Sequence, residues 1–228
     1  MGRALLAQIE IEPRASLVAA LTSPASAALG QPYGNTILSA DIRAALDICD
    51  VLIDFSHPKA AIDAALMMYG TACKTLVTGT TGYSPAEEKA LIAASESITL
   101  VKSGNFSIGI CVLETLVEKA ASLLNDGWDV DVFDAHHRNK KDAPSGTGLM
   151  LGAAVAAGNQ DHEITYTSQR RGGIIGAHDV HFSSPMETLT LSHRAEDRAI
   201  FAKGALTAAL WAVGKPKGLY NMKDVLGI

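Results

Sequence analysis

At 228 residues the chain is long enough to bury a substantial core, as one domain or as two small ones. Hydrophobic residues make up 48% and charged residues 19%, far from the low-hydrophobicity, high-charge compositions that stay disordered. The formal net charge of -5 argues against nucleic acid or another polyanion as a partner.

Cys49 to Phe55 is a nearly continuous apolar run that ends at Ser56-His57-Pro58, which predicts a strand buried on both faces. Lys59 to Tyr69, rich in Ala, Leu and Met, predicts a helix punctuated by Gly70. Lys74 to Thr78 reads as a second buried strand leading into the loop Gly79-Thr80-Thr81-Gly82. The next helix announces its own start. Ser84 can cap it, Pro85 suits its first position, and Glu87 completes a capping box. Ile98 to Lys102 is a third strand, closing on Ser103-Gly104-Asn105-Phe106, and a long amphipathic helix follows from Ser107 to Leu124. Strands alternating with helices imply a parallel sheet, which binds ligands at the carboxyl ends of its strands. After Trp128 the pattern changes. A strand through Val130, Val132 and Phe133 and a helix after Pro144 precede three strand-like stretches, Glu163 to Ser168, Ile174 to Phe182 and Glu187 to His193. Strands in such succession favour a mixed or antiparallel sheet open on one face. Ala199 to Val213 closes the series as a helix. The expected fold class is therefore α/β, a Rossmann-like parallel-sheet domain followed by an α+β domain.

Cys49, Cys73 and Cys111 are odd in number, widely spaced and set in apolar stretches. That suits buried free thiols in a reducing compartment, and the expected location is the cytoplasm. No apolar run approaches the roughly 20 residues that span a bilayer, and the N-terminus lacks a signal-peptide layout, so no membrane role is expected.

His136-His137-Arg138-Asn139-Lys140-Lys141-Asp142 sets two imidazoles and three permanent cations against one carboxylate. Such a set can hold a small anion and exchange protons with it near neutral pH, although the same charges also suit a solvated basic loop. Directly downstream, Ser145-Gly146-Thr147-Gly148 opens a helix, where backbone amides and the dipole favour a carboxylate or phosphate, or simply a cap. Together the two features point to a dianionic substrate. No metal is expected, because adjacent histidines diverge and no Cys or third His stands at ligand spacing. His57, His162, His178, His181 and His193 read individually as structural.

The run from Asp134 to Thr147 resembles the signature of the 4-hydroxy-tetrahydrodipicolinate reductase family, also called dihydrodipicolinate reductases. The resemblance extends to Val51–Ser56, Gly79–Gly82, Gly104–Gly109 and Gly218–Leu226, and so covers nearly the whole chain. It implies that His136 gives or takes a proton and Lys140 is a second proton donor, while His137, Gly146 and Thr147 bind the substrate carboxylates. It also implies that Gly79, Thr80 and Thr81, with Ser103, Gly104, Asn105 and Phe106, hold NADPH or NADH against the substrate between the domains. Hydride transfer with loss of water would give tetrahydrodipicolinate, on the diaminopimelate route to lysine. The implied domains are 1–104 with 206–228 for the dinucleotide and 105–205 for substrate and assembly, usually into a homotetramer.

Two departures from the family stand out. Its fold should open with a strand and a turn ending Gly-Arg-Met-Gly-Arg, whereas this chain opens at Met1-Gly2-Arg3. An absent first strand predicts weaker dinucleotide binding and unpaired sheet edges, and suggests a start codon placed too far downstream. Thr22-Ser23 stands where an acidic residue often meets the adenosine ribose, which predicts acceptance of NADPH as well as NADH. Two alternatives follow: a cofactor-deficient binding or assembly subunit, or a nicotinamide reductase of another small dicarboxylate.

Overall fold

The computed structural model describes residues 1–124 and 127–228, and its chain divides into two compact units, Met1–Phe106 with Phe201–Ile228 and Ser107–Ile200. The first unit opens with helix α1 (Gly2–Ile11), then strands β1 (Ala20–Leu21), β2 (Pro32–Tyr33) and β3 (Thr36–Ser39), and the short helix α2 (Ile42–Leu46). The strands form a small sheet in the order β1-β3-β2, with β1 parallel and β2 antiparallel to β3. Strands of two residues carry no readable alternation, so the sequence gives no notice of them.

The alternating region follows as expected. Strand β4 (Val51–Asp54), helix α3 (Pro58–Met67), strand β5 (Thr75–Thr78), helix α4 (Pro85–Ala94) and strand β6 (Thr99–Lys102) come in turn. The Ser84 hydroxyl accepts the Glu87 amide while the Glu87 carboxylate accepts the Ser84 amide, completing the capping box. The core between sheet and helices holds Leu46, Met68, Leu76, Leu91 and Leu100, all fully buried. β5 is buried throughout, but β4 is only half-buried along its length. This corrects the expectation of a strand covered on both faces: β4 lies at the edge of its sheet, with β5 its one neighbour there.

The second unit starts with helix α5 (Ile108–Leu123), whose Ser107 cap accepts the Ile110 amide at 3.3 Å. Strand β7 (Asp129–His136), helix α6 (Gly146–Gly158) and strands β8 (Ile164–Arg170), β9 (Gly176–Ser183) and β10 (Thr188–Ala195) follow. They make a mixed sheet in the order β10-β9-β7-β8, with β8 parallel and β9 antiparallel to β7. One face packs Val130, Val132, Val180 and Phe182 against Leu113 and Val117 of α5 and Leu151 and Val155 of α6. The other carries exposed Thr165, Thr167 and Thr190, the open face that the strand pattern predicts.

The chain then runs through helix α7 (Ala199–Ala212) into strand β11 (Gly218–Tyr220) and helix α8 (Met222–Leu226). β11 pairs in parallel with β6, so the first unit's larger sheet is all parallel in the order β11-β6-β5-β4. Gly204 of α7 lies so close to the Phe106 carbonyl that a Cβ there would sit 1.7 Å from its oxygen, which fixes the last residue of the β6 loop. All three cysteines are free, yet Cys49 and Cys73, each two residues ahead of the paired strands β4 and β5, lie close enough for their thiols to influence each other, while Cys73 Sγ donates to the Asp50 and Thr75 carbonyls. Their wide spacing in sequence hid that contact. Among the described residues no helix is long and apolar enough to cross a membrane.

Candidate active site

Residues two apart on a strand share a face, so Asp134 and His136 at the carboxyl end of β7 project to the same side as Val130 and Val132. There the packed face turns from apolar to polar. Asp134 Oδ2 lies 3.0 Å from His136 Nδ1 and 3.0 Å from an Arg170 guanidinium nitrogen, while the Ser168 hydroxyl donates to Oδ1. Register explains the meeting: Ser168 pairs with Asp134 and Arg170 with His136 across the β7–β8 ladder. Ser145, the cap of α6, also hydrogen-bonds Asp134, and its Oγ accepts the Gly148 amide at 3.0 Å. One carboxylate thus joins the histidine to the helix start that sequence proposes as an anion seat.

The loop after β7 carries the other cations. Lys140 Nζ meets the Asp142 carboxylate at 2.9 Å, and Arg170 donates to the Asp142 carbonyl at 2.6 Å. His137 is half-buried at the loop's start, and its carbonyl accepts the Lys140 amide at 3.0 Å. Gly146 is exposed at the first turn of α6 with open space around its Cα, and Thr147 follows it half-buried. His136, His137, Lys140, Gly146 and Thr147 therefore lie together, on one strand end, its loop and the helix that follows.

Electrostatics assigns the protons. Burial alone would raise Asp134, but hydrogen bonds from Ser168, Arg170 and Ser145, helped by the Arg170 charge, hold its pKa below the ordinary carboxylate value. His136 is lowered by burial first and then by the nearby Lys140 charge, against the pull of Asp134. An ionised Asp134 opposite Nδ1 fixes that nitrogen as the protonated one and leaves Nε2 to exchange a proton with a ligand. Space is kept at Nε2, because a Cβ on Gly176 would come within 3.3 Å of it.

His178 completes the group. It pairs with Asp134 across the β7–β9 ladder, packs edge-on against His136 with ring centroids 5.1 Å apart, and is buried with neither nitrogen partnered. Burial and then the His136 charge push its pKa down to about 4, so it stays neutral near pH 7. This corrects the expectation that no third ligand-type residue stands nearby, since ligand atoms of Asp134, His136 and His178 all lie within 4.8 Å of one another. The set could hold a metal by spacing, but Oδ2 of Asp134 already meets a guanidinium, and Lys140 adds a second positive charge. That field favours anions. A cavity of about 230 Å³ opens instead at the amino end of β7, rimmed by Asp129, Asp161 and Glu163. That cavity's three carboxylates, beside His162 and Asn159, suit an anion less well than the cationic group at the other end of the strand.

In the first unit the loops expected to hold a nicotinamide leave the carboxyl ends of β5 and β6. Asp54, at the end of β4, accepts the hydroxyls of Thr78 and Thr80 at 2.7 Å each, so the Thr80 side chain is committed to holding its loop. The bare Cα of Gly79 serves its neighbour: a Cβ there would meet the Phe55 ring at 2.2 Å. Thr81 is exposed, and Gly104 has nothing within reach of a Cβ, which leaves the loop ends open for close backbone approach. The Ser103 hydroxyl donates to the Asn105 carbonyl at 2.6 Å, and the Phe106 ring is buried edge-on against Phe55. Backbone atoms and Thr81, more than the side chains of Thr80, Ser103 or Phe106, are what these loops can offer a dinucleotide.

Sequence reasoning misses Arg170, Ser168, Ser145 and the part played by His178. The i, i+2 spacing of Asp134 and His136 could have revealed their pairing, but Arg170 and His178 join only through strand register.

A parallel α/β unit with open loops at its strand ends and a mixed-sheet unit bearing an aspartate–histidine pair among cations have the makings of a two-domain nicotinamide oxidoreductase. Comparison with known proteins narrows the class. The family model described as "Dihydrodipicolinate reductase, N-terminus" matches residues 1–106, and "Dihydrodipicolinate reductase, C-terminus" matches residues 109–226. The chain belongs to the dihydrodipicolinate reductase family. It is 40% identical over 255 residues to the 4-hydroxy-tetrahydrodipicolinate reductase of Rhodopseudomonas palustris (strain BisB18), covering 100% of this chain and 94% of that protein. The Caulobacter vibrioides reductase is also 40% identical, over 247 residues, with 100% and 93% covered. Both alignments outrun the 228 residues of this chain, so these relatives carry internal segments that it lacks. In fold, the chain is similar to the dipicolinate-bound dihydrodipicolinate reductase from Paenisporosarcina sp. TG-14, with a TM-score of 0.82, 20% identity, and 96% and 92% of the chains covered. It is also similar to GenD2 from gentamicin A biosynthesis in complex with NAD, with a TM-score of 0.61, 12% identity, and 99% and 87% covered.

Proposed function

We propose that this chain reduces 4-hydroxy-tetrahydrodipicolinate to tetrahydrodipicolinate, with NADPH or NADH as reductant and loss of water. The observation that carries the reading is the buried Asp134–His136 pair beside Lys140 and the α6 start, a cationic seat with a proton-exchanging group at its floor. The unit Met1–Phe106 with Phe201–Ile228 takes the dinucleotide, through the backbone of Gly79–Thr81 and Ser103–Phe106. When bound, the reduced nicotinamide supplies the hydride.

The unit Ser107–Ile200 takes the two carboxylates, through His137 and the first amides of α6 at Gly146 and Thr147. His136 exchanges a proton at Nε2 while Asp134 balances the imidazolium from Nδ1. The lowered pKa makes the protonated imidazole a ready donor. Lys140, steered by Asp142, is the second donor at the reacting ring. Thr22 and Ser23 follow β1 with no carboxylate of their own to repel a 2′-phosphate, so both nicotinamides are accepted. The open threonine-bearing sheet face serves assembly into a homotetramer in the cytoplasm.

Oxidation of NADPH on adding the hydroxylated precursor tests the reading. Replacing His136 or Lys140 by Ala should slow turnover about 10²-fold or more. Turnover that survives either change nearly intact would remove these roles. A nicotinamide fluorescence titration without any quenching would favour the binding-subunit alternative, and faster reduction of another dicarboxylate would favour the other one.

A further inference from the structure

We propose that Arg170 is a positioning residue of this site, one guanidinium that sets the charge of the Asp134–His136 pair and holds the loop bearing His137 and Lys140. The inference rests on the functional reading above. Arg170 ends β8 directly opposite His136, with its side chain only 16% exposed. It contacts Asp134 Oδ2 at 3.0 Å, the Asp142 carbonyl at 2.6 Å and the Gln169 carbonyl at 2.8 Å. The first contact keeps Asp134 ionised and, through it, the His136 tautomer. The second ties down the far end of the loop whose near end is the strand itself. Backbone bonds finish the clamp: the Arg171 amide donates to the His136 carbonyl at 2.9 Å, and the Arg138 amide to the Gly172 carbonyl at 3.3 Å.

Guanidinium geometry is what allows the double duty. Both contacts leave one nitrogen, Nη2, whose two N–H bonds diverge in the rigid guanidinium plane, so a carboxylate and a carbonyl on different segments are served at once. A lysine ammonium ends one bond short of the Nη2 position and lacks that fixed fork, so it keeps the charge near Asp134 without reaching the Asp142 carbonyl as well. Charge and span should therefore separate on mutation. R170K keeps a cation beside Asp134, so His136 should titrate close to its wild-type value. It loses the hold on Asp142, so the loop should exchange its amide protons faster and dipicolinate should bind less tightly. R170Q removes the charge as well. With a positive neighbour gone, the His136 pKa should rise, and kcat should fall on the order of 10²-fold, as for a group displaced by about 1 Å.

The experiment follows His136 by NMR titration, the amides of residues 138–142 by hydrogen exchange, and dipicolinate affinity by calorimetry, in wild type, R170K and R170Q. A raised His136 pKa in R170Q together with a loosened loop in both variants supports the proposal. Unchanged titration and unchanged loop exchange in a folded R170Q overturn it. Should R170Q fail to fold, R170K decides through loop exchange and dipicolinate affinity, and wild-type values in both overturn the proposal. Titration and exchange need no turnover, so a wild-type chain inactive on the proposed substrate would defeat the functional reading alone.

Discussion

His136 and Arg170 face each other across the β7–β8 ladder and both reach the same atom, Oδ2 of Asp134, at 3.0 Å each. The carboxylate between them is 1% exposed, so its charge is balanced almost wholly by protein groups. Asp134→Asn keeps the shape but removes the charge that fixes the His136 tautomer. Turnover should fall on the order of 10²–10⁴-fold with the fold retained, measured by steady-state kinetics beside circular dichroism. Asp134→Ala should cost more in stability than in shape. It strands a nearly buried guanidinium, and urea unfolding should report a loss of about 3–5 kcal/mol.

Acid should weaken the protein in a defined window. His178 titrates at about 4 in the folded chain against an ordinary 6.5, so the unfolded chain holds more protons between those values. Its contribution is complete above pH 6.5 and is lost as pH falls toward about 4, a change on the order of 3 kcal/mol. His136 and His193, both also lowered by burial, act in the same direction. Asp134 is lowered too, so its contribution holds above the ordinary carboxylate value and disappears only in stronger acid. Denaturant midpoints from pH 7 to 4 check the slope, which His178→Phe should flatten. An equal slope in that variant would assign the acid sensitivity elsewhere.

Gly176→Ala probes the space at His136 Nε2, the nitrogen proposed to exchange the proton. The new Cβ would lie 3.3 Å from His136 Nε2, close enough to press on that ring, and 3.5 Å from His178 Cε1, an ordinary contact. Melting temperature should change little while kcat drops, and Gly176→Val should deepen the loss. A variant with full activity would place the proton-exchanging face of His136 elsewhere.

Gly204→Ala tests how the β6 loop is anchored. A methyl group 1.7 Å from the Phe106 carbonyl oxygen cannot be accommodated by a rotamer change, because backbone blocks it. α7 must move off the loop, with a loss of several kcal/mol in the range of severe core lesions. Thermal unfolding of the purified variant gives the answer.

Regular elements were legible where local chemistry repeats. The Ser84–Glu87 box, the valines of β7 and the Ala-rich α7 announce themselves within a few residues. The cationic loop and the α6 start were legible for the same reason, as chemistry concentrated in one stretch. Arg170 and His178 were not, because each joins Asp134 through a partner strand whose register is set by packing far along the chain. The edge position of β4 was hidden for a related reason: a run of apolar residues states that a strand forms, not how many neighbours it has. The packing of Phe55 against the bare Cα of Gly79 was hidden likewise, because it joins the ends of two neighbouring strands.

The sheet face that packs Val132 and Val180 is continuous with the one that holds Asp134 and His178. Core and proposed site thus compete for the same square ångströms. A laboratory selection for heat resistance would be drawn to the unpartnered His178, where an apolar ring relieves a burial penalty. Thermally improved descendants should therefore concentrate their slowest enzymes among those altered in that one row of the sheet.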